Sequence, residues 1–312
     1  MKLIKLLPLL GIGIFIYLIY RIGINNIIDV FKNINYFYLF LLIFLAFLIV
    51  ILQTYKWGLI LKKQNINLKF YSLFKIQMIS FLYGSITPGR VGSLIKVSYL
   101  KKRINKNYGE SSSSVILERA IDFLVLFLFA SFGAFLLINY FSNLFWELII
   151  LVLLMFLSFI FIFLNRKRAR FFLKFIHIYL IPRKYKEKLS NLFHSFYDGI
   201  LKPKQLIKPF IVSLFIWFCI YLQAYIAALA LSINEVPYYY FFGLFPLASI
   251  VGLIPITIGG VGTREMTLIG LFIIVGYNIP NKILAISLLW SFTSLIINGV
   301  GLYYTLKEHK NG

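Results

Sequence analysis

The chain has 312 residues, 61% of them hydrophobic and 13% charged, which is too apolar and too poor in charge for a domain that water alone must dissolve. Thirty-two Lys and Arg against ten Asp and Glu leave a formal net charge of +22. In a soluble chain that excess would point to nucleic acid, but here the basic residues cluster beside apolar runs, a pattern that fits anionic lipid headgroups and not nucleic acid.

Met1 to Lys5 followed by an apolar run to Tyr20 has the outline of a secretory signal without a small-residue cleavage site, so it is read as an uncleaved first span over about 4 to 20. A crossing helix needs roughly 20 apolar residues. Stretches of that length recur at 36 to 60, 113 to 139, 144 to 164, 209 to 232 and 283 to 306, giving six full spans. Two further apolar regions, 70 to 100 and 237 to 277, are broken near their middles by Thr87-Pro88-Gly89-Arg90-Val91-Gly92 and by Pro255 through Gly259-Gly260-Val261-Gly262-Thr263. Each predicts a helical hairpin, either re-entrant or a pair of spans. The expected fold is therefore all-α: a polytopic transmembrane helical bundle, one integral membrane domain over 1–312, with six full spans plus two opposed helical hairpins.

Orientation follows from the basic residues. If both hairpins return to the side they entered from, Lys2, Lys5, the 56 to 75 and 101 to 106 loops, the 166 to 208 stretch and the C-terminal tail share one side with 25 Lys and Arg. The other side holds Arg21, Lys32 and Lys282, while Arg90, Lys96, Arg119 and Arg264 fall at membrane depth. That bias predicts a multi-pass protein of the cell membrane with both termini cytoplasmic. The hairpins then dip in from opposite sides with their breaks facing each other, and interrupted helices in two inverted halves point to a transporter's binding site. Between the spans, 165 to 208 carries twelve basic and two acidic residues, and Leu189, Leu192, Phe193, Phe196, Tyr197 and Ile200 recur at helical spacing. This basic amphipathic segment reads either as an anionic-lipid contact or as a positive-inside loop packed on the bundle.

An ionisable group inside a bilayer costs at least about 2.5 to 3.5 kcal/mol on insertion scales, so such groups should be paired or functional. In the first break Thr87 is a candidate cap and Pro88 a candidate first helical residue, which would aim free N–H groups at an anion. Arg90 adds a forked donor, and Arg90, Ser93 and Lys96 step by three along one stripe. In the next segment, Glu118-Arg119-Ala120-Ile121-Asp122, the two carboxylates share a helix face and Arg119 is spaced to pair with Asp122. This is either a salt-bridged structural knot or a site where one carboxylate carries a proton or receives a headgroup amine. In the third, Gly260 and Gly262 permit close backbone approach, Thr263 is a candidate cap, Arg264 is a cation at membrane depth and Glu265 falls in a favourable first helical turn. Four cations against three carboxylates leave a surplus of one positive charge, which a single anionic phosphate would balance. No Ser-His-Asp set, nucleotide loop or metal cluster is present in the sequence; His177, His194 and His309 lack ligand spacing, and Cys219 is the one cysteine. No enzymatic activity and no cofactor is expected.

These three motif segments resemble the signatures of the lysylphosphatidylglycerol synthase transmembrane-region family, and the likeness runs over nearly the whole chain. The resemblance implies a flippase-like membrane domain, which in fused members moves aminoacylated phospholipid across the bilayer or accompanies lipid-linked sugar chemistry. By position it implies that Arg90, Glu118, Arg119, Asp122, Arg264 and Glu265 line a polar site. The family's first motif usually continues Gly-Glu where this chain has Gly92-Ser93. The expected form is a stand-alone member without a soluble transferase portion. Three functions fit: translocation or binding of an anionic phospholipid or lipid-linked intermediate; proton-coupled secondary transport of a small anion; or a non-transport role as membrane partner of a separately encoded lipid-modifying enzyme.

Overall fold

The structure is a computed structural model and describes residues 7–32, 34–104, 108–141, 194–255 and 259–310, together with Glu147, Ile150, Arg168 and Thr257. Among these every regular element is helical: α1 (Leu7–Ile22), α2 (Ile24–Phe31), α3 (Tyr36–Lys63), α4 (Phe70–Ser85), a 3-10 turn (Val91–Leu94), α5 (Ile95–Arg103), α6 (Tyr108–Leu136), α7 (Pro203–Ala230), α8 (Tyr238–Leu253), α9 (Thr263–Ile274) and α10 (Pro280–Lys310). The expected span at 144 to 164 and most of the amphipathic segment at 165 to 208 lie outside the described residues.

α3, α7 and residues 280–308 of α10 are each long and apolar enough to cross a membrane. α6, at 29 residues, has the length as well. The first span departs from a straight helix over 4 to 20: at Gly23, whose φ of 85° suits glycine, the chain turns by 79° into α2. Each end of the long helices has a local cause. Asn35 starts α3 by accepting the Phe37 N–H at 3.0 Å. Pro203 opens α7 at a position where its missing N–H costs nothing.

α7 packs along α3, α8 along α6 and α10 along α4. The α6–α8 contact is so close that a Cβ added to Gly133 would stand 2.1 Å from the Gly243 carbonyl oxygen. Small residues at such crossings are how helices associate in lipid, where no hydrophobic drive separates core from surroundings. Among the described residues the largest apolar cluster joins α3, α6, α7, α8, α9 and α10, with Phe241, Phe245 and Phe272 buried in it. Phe37, Phe40, Phe135 and Leu295 project outward with about two-thirds of their surface exposed, as 69%, 68%, 67% and 65%. Their exposure is unfavourable in water and natural against acyl chains.

Both apolar regions expected to break do so. After α4 the chain reverses through 86–90 into the 3-10 turn, where Ser80 Oγ donates to the Ser93 carbonyl at 3.0 Å. After α8 the chain comes back so that the backbones of Gly252 and Gly260 pass closely, and a Cβ on Gly260 (φ 78°) would lie only 3.0 Å from the Gly252 Cα and carbonyl oxygen. The tips of the two hairpins touch. A Cβ on Gly89 would lie 3.3 Å from that of Pro255, and one on Gly259 would lie 3.1 Å from the Ser85 carbonyl oxygen.

Candidate functional site

In the first hairpin Thr87 does not cap a helix beginning at Pro88. Its hydroxyl donates to the Tyr83 carbonyl at 2.8 Å and accepts the Gly92 N–H at 2.8 Å, tying the turn back onto α4. The helical backbone starts at Val91, three residues later than the sequence suggested, because residues 87–90 are used in this tie. Arg90 precedes it in the left-handed region, φ 56° and ψ 25°, at a cost of about 1–2 kcal/mol for a residue with a Cβ. A backbone held this way at a charged residue points to a positional demand on its side chain. Arg90 is exposed, whereas Ser93, which was expected to share its stripe, is buried with its hydroxyl donating to the Arg90 carbonyl at 2.8 Å. Gly92 must be glycine in this geometry, since a Cβ would meet the Tyr83 oxygen at 2.2 Å.

The carboxylates of α6 each have a lysine. Lys96, fully buried on α5, donates to Glu118 Oε2 at 2.7 Å and lies 4.6 Å from the centroid of the Trp57 ring. Lys56 of α3 donates to Asp122 Oδ1, which also accepts from Ser213 Oγ at 2.7 Å and Trp217 Nε1 at 3.4 Å. Asp122 therefore pairs with Lys56 and not with Arg119. This corrects the placement of Lys56 in a cytoplasmic loop: α3 continues to Lys63, and Lys56 is wholly buried. The apolar stretch Trp57 to Leu61 that follows it was the available signal, because it prolongs the helix past the lysine.

In the second hairpin the N-cap is Gly262, one residue before the expected Thr263. Glu265 sits in the first turn of α9 and accepts the Gly262 N–H at 2.7 Å. It also accepts from Arg264 at 2.6 Å and from Ser287 Oγ at 2.9 Å. Arg264 reaches on to Ser291 and lies 4.8 Å from the centroid of the Trp290 ring, so its guanidinium is clamped between α9 and α10. Gly260 supplies the close approach to Gly252 already described.

These three segments converge. Arg119, Arg264 and Tyr221 of α7 are all within electrostatic range of Arg90. Among the described residues, Glu118, Asp122 and Glu265 are each paired with a cation, while Arg90 and Arg119 have no carboxylate partner. Among the described residues the fully buried Tyr221 hydroxyl makes no hydrogen bond of good geometry; the Ser249 hydroxyl, which itself donates to the Phe245 carbonyl at 2.8 Å, is a loosely placed partner. Tyr221 and Lys56 were not among the residues singled out from sequence; a tyrosine within a Phe- and Tyr-rich span carries no signal of its own.

Beside Tyr221 an open groove of about 600 Å³ runs between α6, α7 and α8, lined by Leu128, Phe129, Phe132, Phe218, Leu222 and Tyr225 among others. Phe129 joins the two features, its ring centroid 5.2 Å from that of Tyr221. Among the described residues no group of His, Cys, Asp and Glu is arranged to hold a metal ion.

Residues 5–301 match the family described as the lysylphosphatidylglycerol synthase TM region. The chain is similar to a UPF0104 membrane protein of Pyrococcus horikoshii, 26% identical over 304 residues that cover 90% of this chain and 89% of the relative. A UPF0104 membrane protein of Methanothermobacter thermautotrophicus is 24% identical over 295 residues, 86% of this chain and 83% of the relative. One of Methanocaldococcus jannaschii is 26% identical over 245 residues, 73% of this chain and 97% of the relative.

Proposed function

The chain belongs to the lysylphosphatidylglycerol synthase transmembrane-region family, and we propose that it binds the anionic headgroup of a membrane lipid at the junction of its two hairpins and carries it between leaflets. It is a multi-pass helical membrane protein, here read with both termini cytoplasmic in the cell membrane. The observation that carries the proposal is the uneven pairing of charge. The buried cations Lys56 and Lys96 are matched to carboxylates, while among the described residues the more accessible Arg90 and Arg119 form no ion pair, Arg119 only lying in the field of Asp122. Unmatched guanidinium groups at membrane depth are costly and suit an anion that comes and goes.

The groove between α6, α7 and α8 supports a lipid over a small solute. Its wall is apolar and includes Phe129, which packs on the Tyr221 ring, so a hydrocarbon tail would have a place to lie near the polar site that the headgroup occupies. Proton coupling finds less support, because each carboxylate of the site is already held by a cation, and Asp122 and Glu265 by further donors as well. The three arginines would hold the headgroup phosphate, and exchange between leaflets would follow from movement of one hairpin against the other.

The test is reconstitution with fluorescent phospholipid and measurement of its exchange between leaflets. Arg90→Ala and Arg119→Ala proteins that insert normally should lose most of the exchange catalysed by the unaltered chain. Exchange at undiminished rate in both would refute the site.

A further inference from the structure

We infer that the headgroup this site accepts carries two negative charges on phosphate, as a phosphate monoester or a lipid-linked diphosphate does, and not the single charge of an ordinary phosphodiester lipid. The inference rests on the lipid-binding reading above and narrows its substrate. Sequence spacing alone gave a surplus of one positive charge, because Lys56 was counted with a loop. With Lys56 inside, the cluster holds Lys56, Arg90, Lys96, Arg119 and Arg264 against Glu118, Asp122 and Glu265. Three pairs form, Lys56 with Asp122, Lys96 with Glu118 and Arg264 with Glu265. Two guanidinium groups remain, those of Arg90 and Arg119, brought into each other's field together with that of Arg264.

A single negative charge would leave one of these groups uncompensated in a medium that penalises it. Two charges on adjacent phosphate oxygens would neutralise both, and guanidinium forks match such oxygens two at a time. Tyr221 supplies an independent sign. Its hydroxyl is fully buried, lies within electrostatic range of Arg90 and makes no hydrogen bond of good geometry among the described residues, the Ser249 hydroxyl being a loosely placed partner, and buried hydroxyls are rarely left so. A phosphate oxygen between the arginines would accept its proton. Arg90, the most accessible cation of the cluster, is one of the two without a carboxylate, which is where a ligand and not a structural counter-ion belongs.

The experiment compares two short lipids with identical tails on the full chain in mild detergent at pH 8, followed by titration calorimetry. Dihexanoyl phosphatidic acid, a phosphate monoester that is mostly dianionic there, should bind at least tenfold more tightly than dihexanoyl phosphatidylglycerol, a monoanion. Arg119→Gln should weaken both lipids but phosphatidic acid at least tenfold more than phosphatidylglycerol, erasing the preference, and Arg119→Lys should restore part of it. Tyr221→Phe should weaken phosphatidic acid severalfold more than phosphatidylglycerol. Equal affinity for the two lipids in the unaltered chain would overturn the dianion inference and leave the lipid reading standing. Binding of neither lipid would overturn the lipid reading itself. Inorganic phosphate, dianionic at this pH and without a tail, should bind far more weakly than phosphatidic acid; equal affinity would assign the same chemistry to a soluble anion and overturn the lipid source.

Discussion

Lys56 and Asp122, separated by 66 positions in the chain, meet as a buried ion pair that joins α3 to α6, with the Ser213 hydroxyl of α7 completing the carboxylate's shell. Three helices are thus fixed to one carboxylate at the level of the polar cluster. A buried pair is weak support for stability as a whole, but removing one partner leaves a charge with nothing to balance it, typically at about 3–5 kcal/mol. Lys56→Met alone and Asp122→Asn alone should each lower the melting temperature in detergent clearly. The double variant should recover a large part of the loss. A double variant as unstable as the sum of the two singles would show that the residues are not coupled.

Glu265 binds the second hairpin together in the same way, taking the Gly262 N–H, the Arg264 guanidinium and the Ser287 hydroxyl. Glu265→Gln would remove the negative charge and leave Arg264 as a third unmatched cation beside Arg90. The variant should melt lower than the unaltered chain. An added anionic lipid should then raise its melting temperature by more than it raises that of the unaltered chain, because the ligand supplies charge the site now lacks. Equal ligand-induced shifts in the two proteins would separate Arg264 from the binding site.

Packing between α6 and α8 makes a sharper steric prediction. A Cβ on Gly133 would lie 2.1 Å from the Gly243 carbonyl oxygen, whereas one on Gly270 of α9 would have no neighbour within 4 Å. Gly133→Ala must push two backbones apart, an overpacking cost of about 1–3 kcal/mol. Gly270→Ala removes backbone freedom from the unfolded chain and should be neutral or stabilising by up to about 1 kcal/mol. Thermal aggregation of the two purified variants, read side by side, distinguishes them; similar behaviour would place the α6–α8 crossing elsewhere.

Much of the fold was legible because its signals are local. Pro88-Gly89 and the glycines from 259 to 262 interrupt otherwise apolar runs, and the chain reverses where they stand. The charge partners were harder to read. Spacing of three along α6 suggested Arg119 for Asp122, yet the partner came from α3, since helix packing brings Lys56 to the carboxylate and no intrahelical rule contains that contact. Likewise Thr87 looked like a cap because of its neighbour Pro88, but its hydroxyl found the Tyr83 carbonyl one turn behind and the helix began later. Tyr221 was invisible among many aromatic residues, since what distinguishes it is a buried hydroxyl with poor hydrogen-bond geometry beside Ser249. Pattern and punctuation are properties of the chain, whereas pairing and its absence are properties of the packed molecule.

The orientation carries its own prediction, and the one cysteine makes it clean to test. Cys219 is buried within α7 and should react slowly with an impermeant maleimide, so introduced cysteines can be read against a low background. Lys102 sits among the basic residues that end α5, while Lys282 begins α10 and pairs with Glu235 at the opposite end of the bundle. The positive-inside bias places the first in the cytoplasm and the second outside. Lys102→Cys should label only in inside-out vesicles and Lys282→Cys only in intact cells. Labelling of both from the same side would mean that one hairpin crosses the membrane once, which would destroy the inverted relation between the two breaks and, with it, the reason for a headgroup to reach their junction from either leaflet.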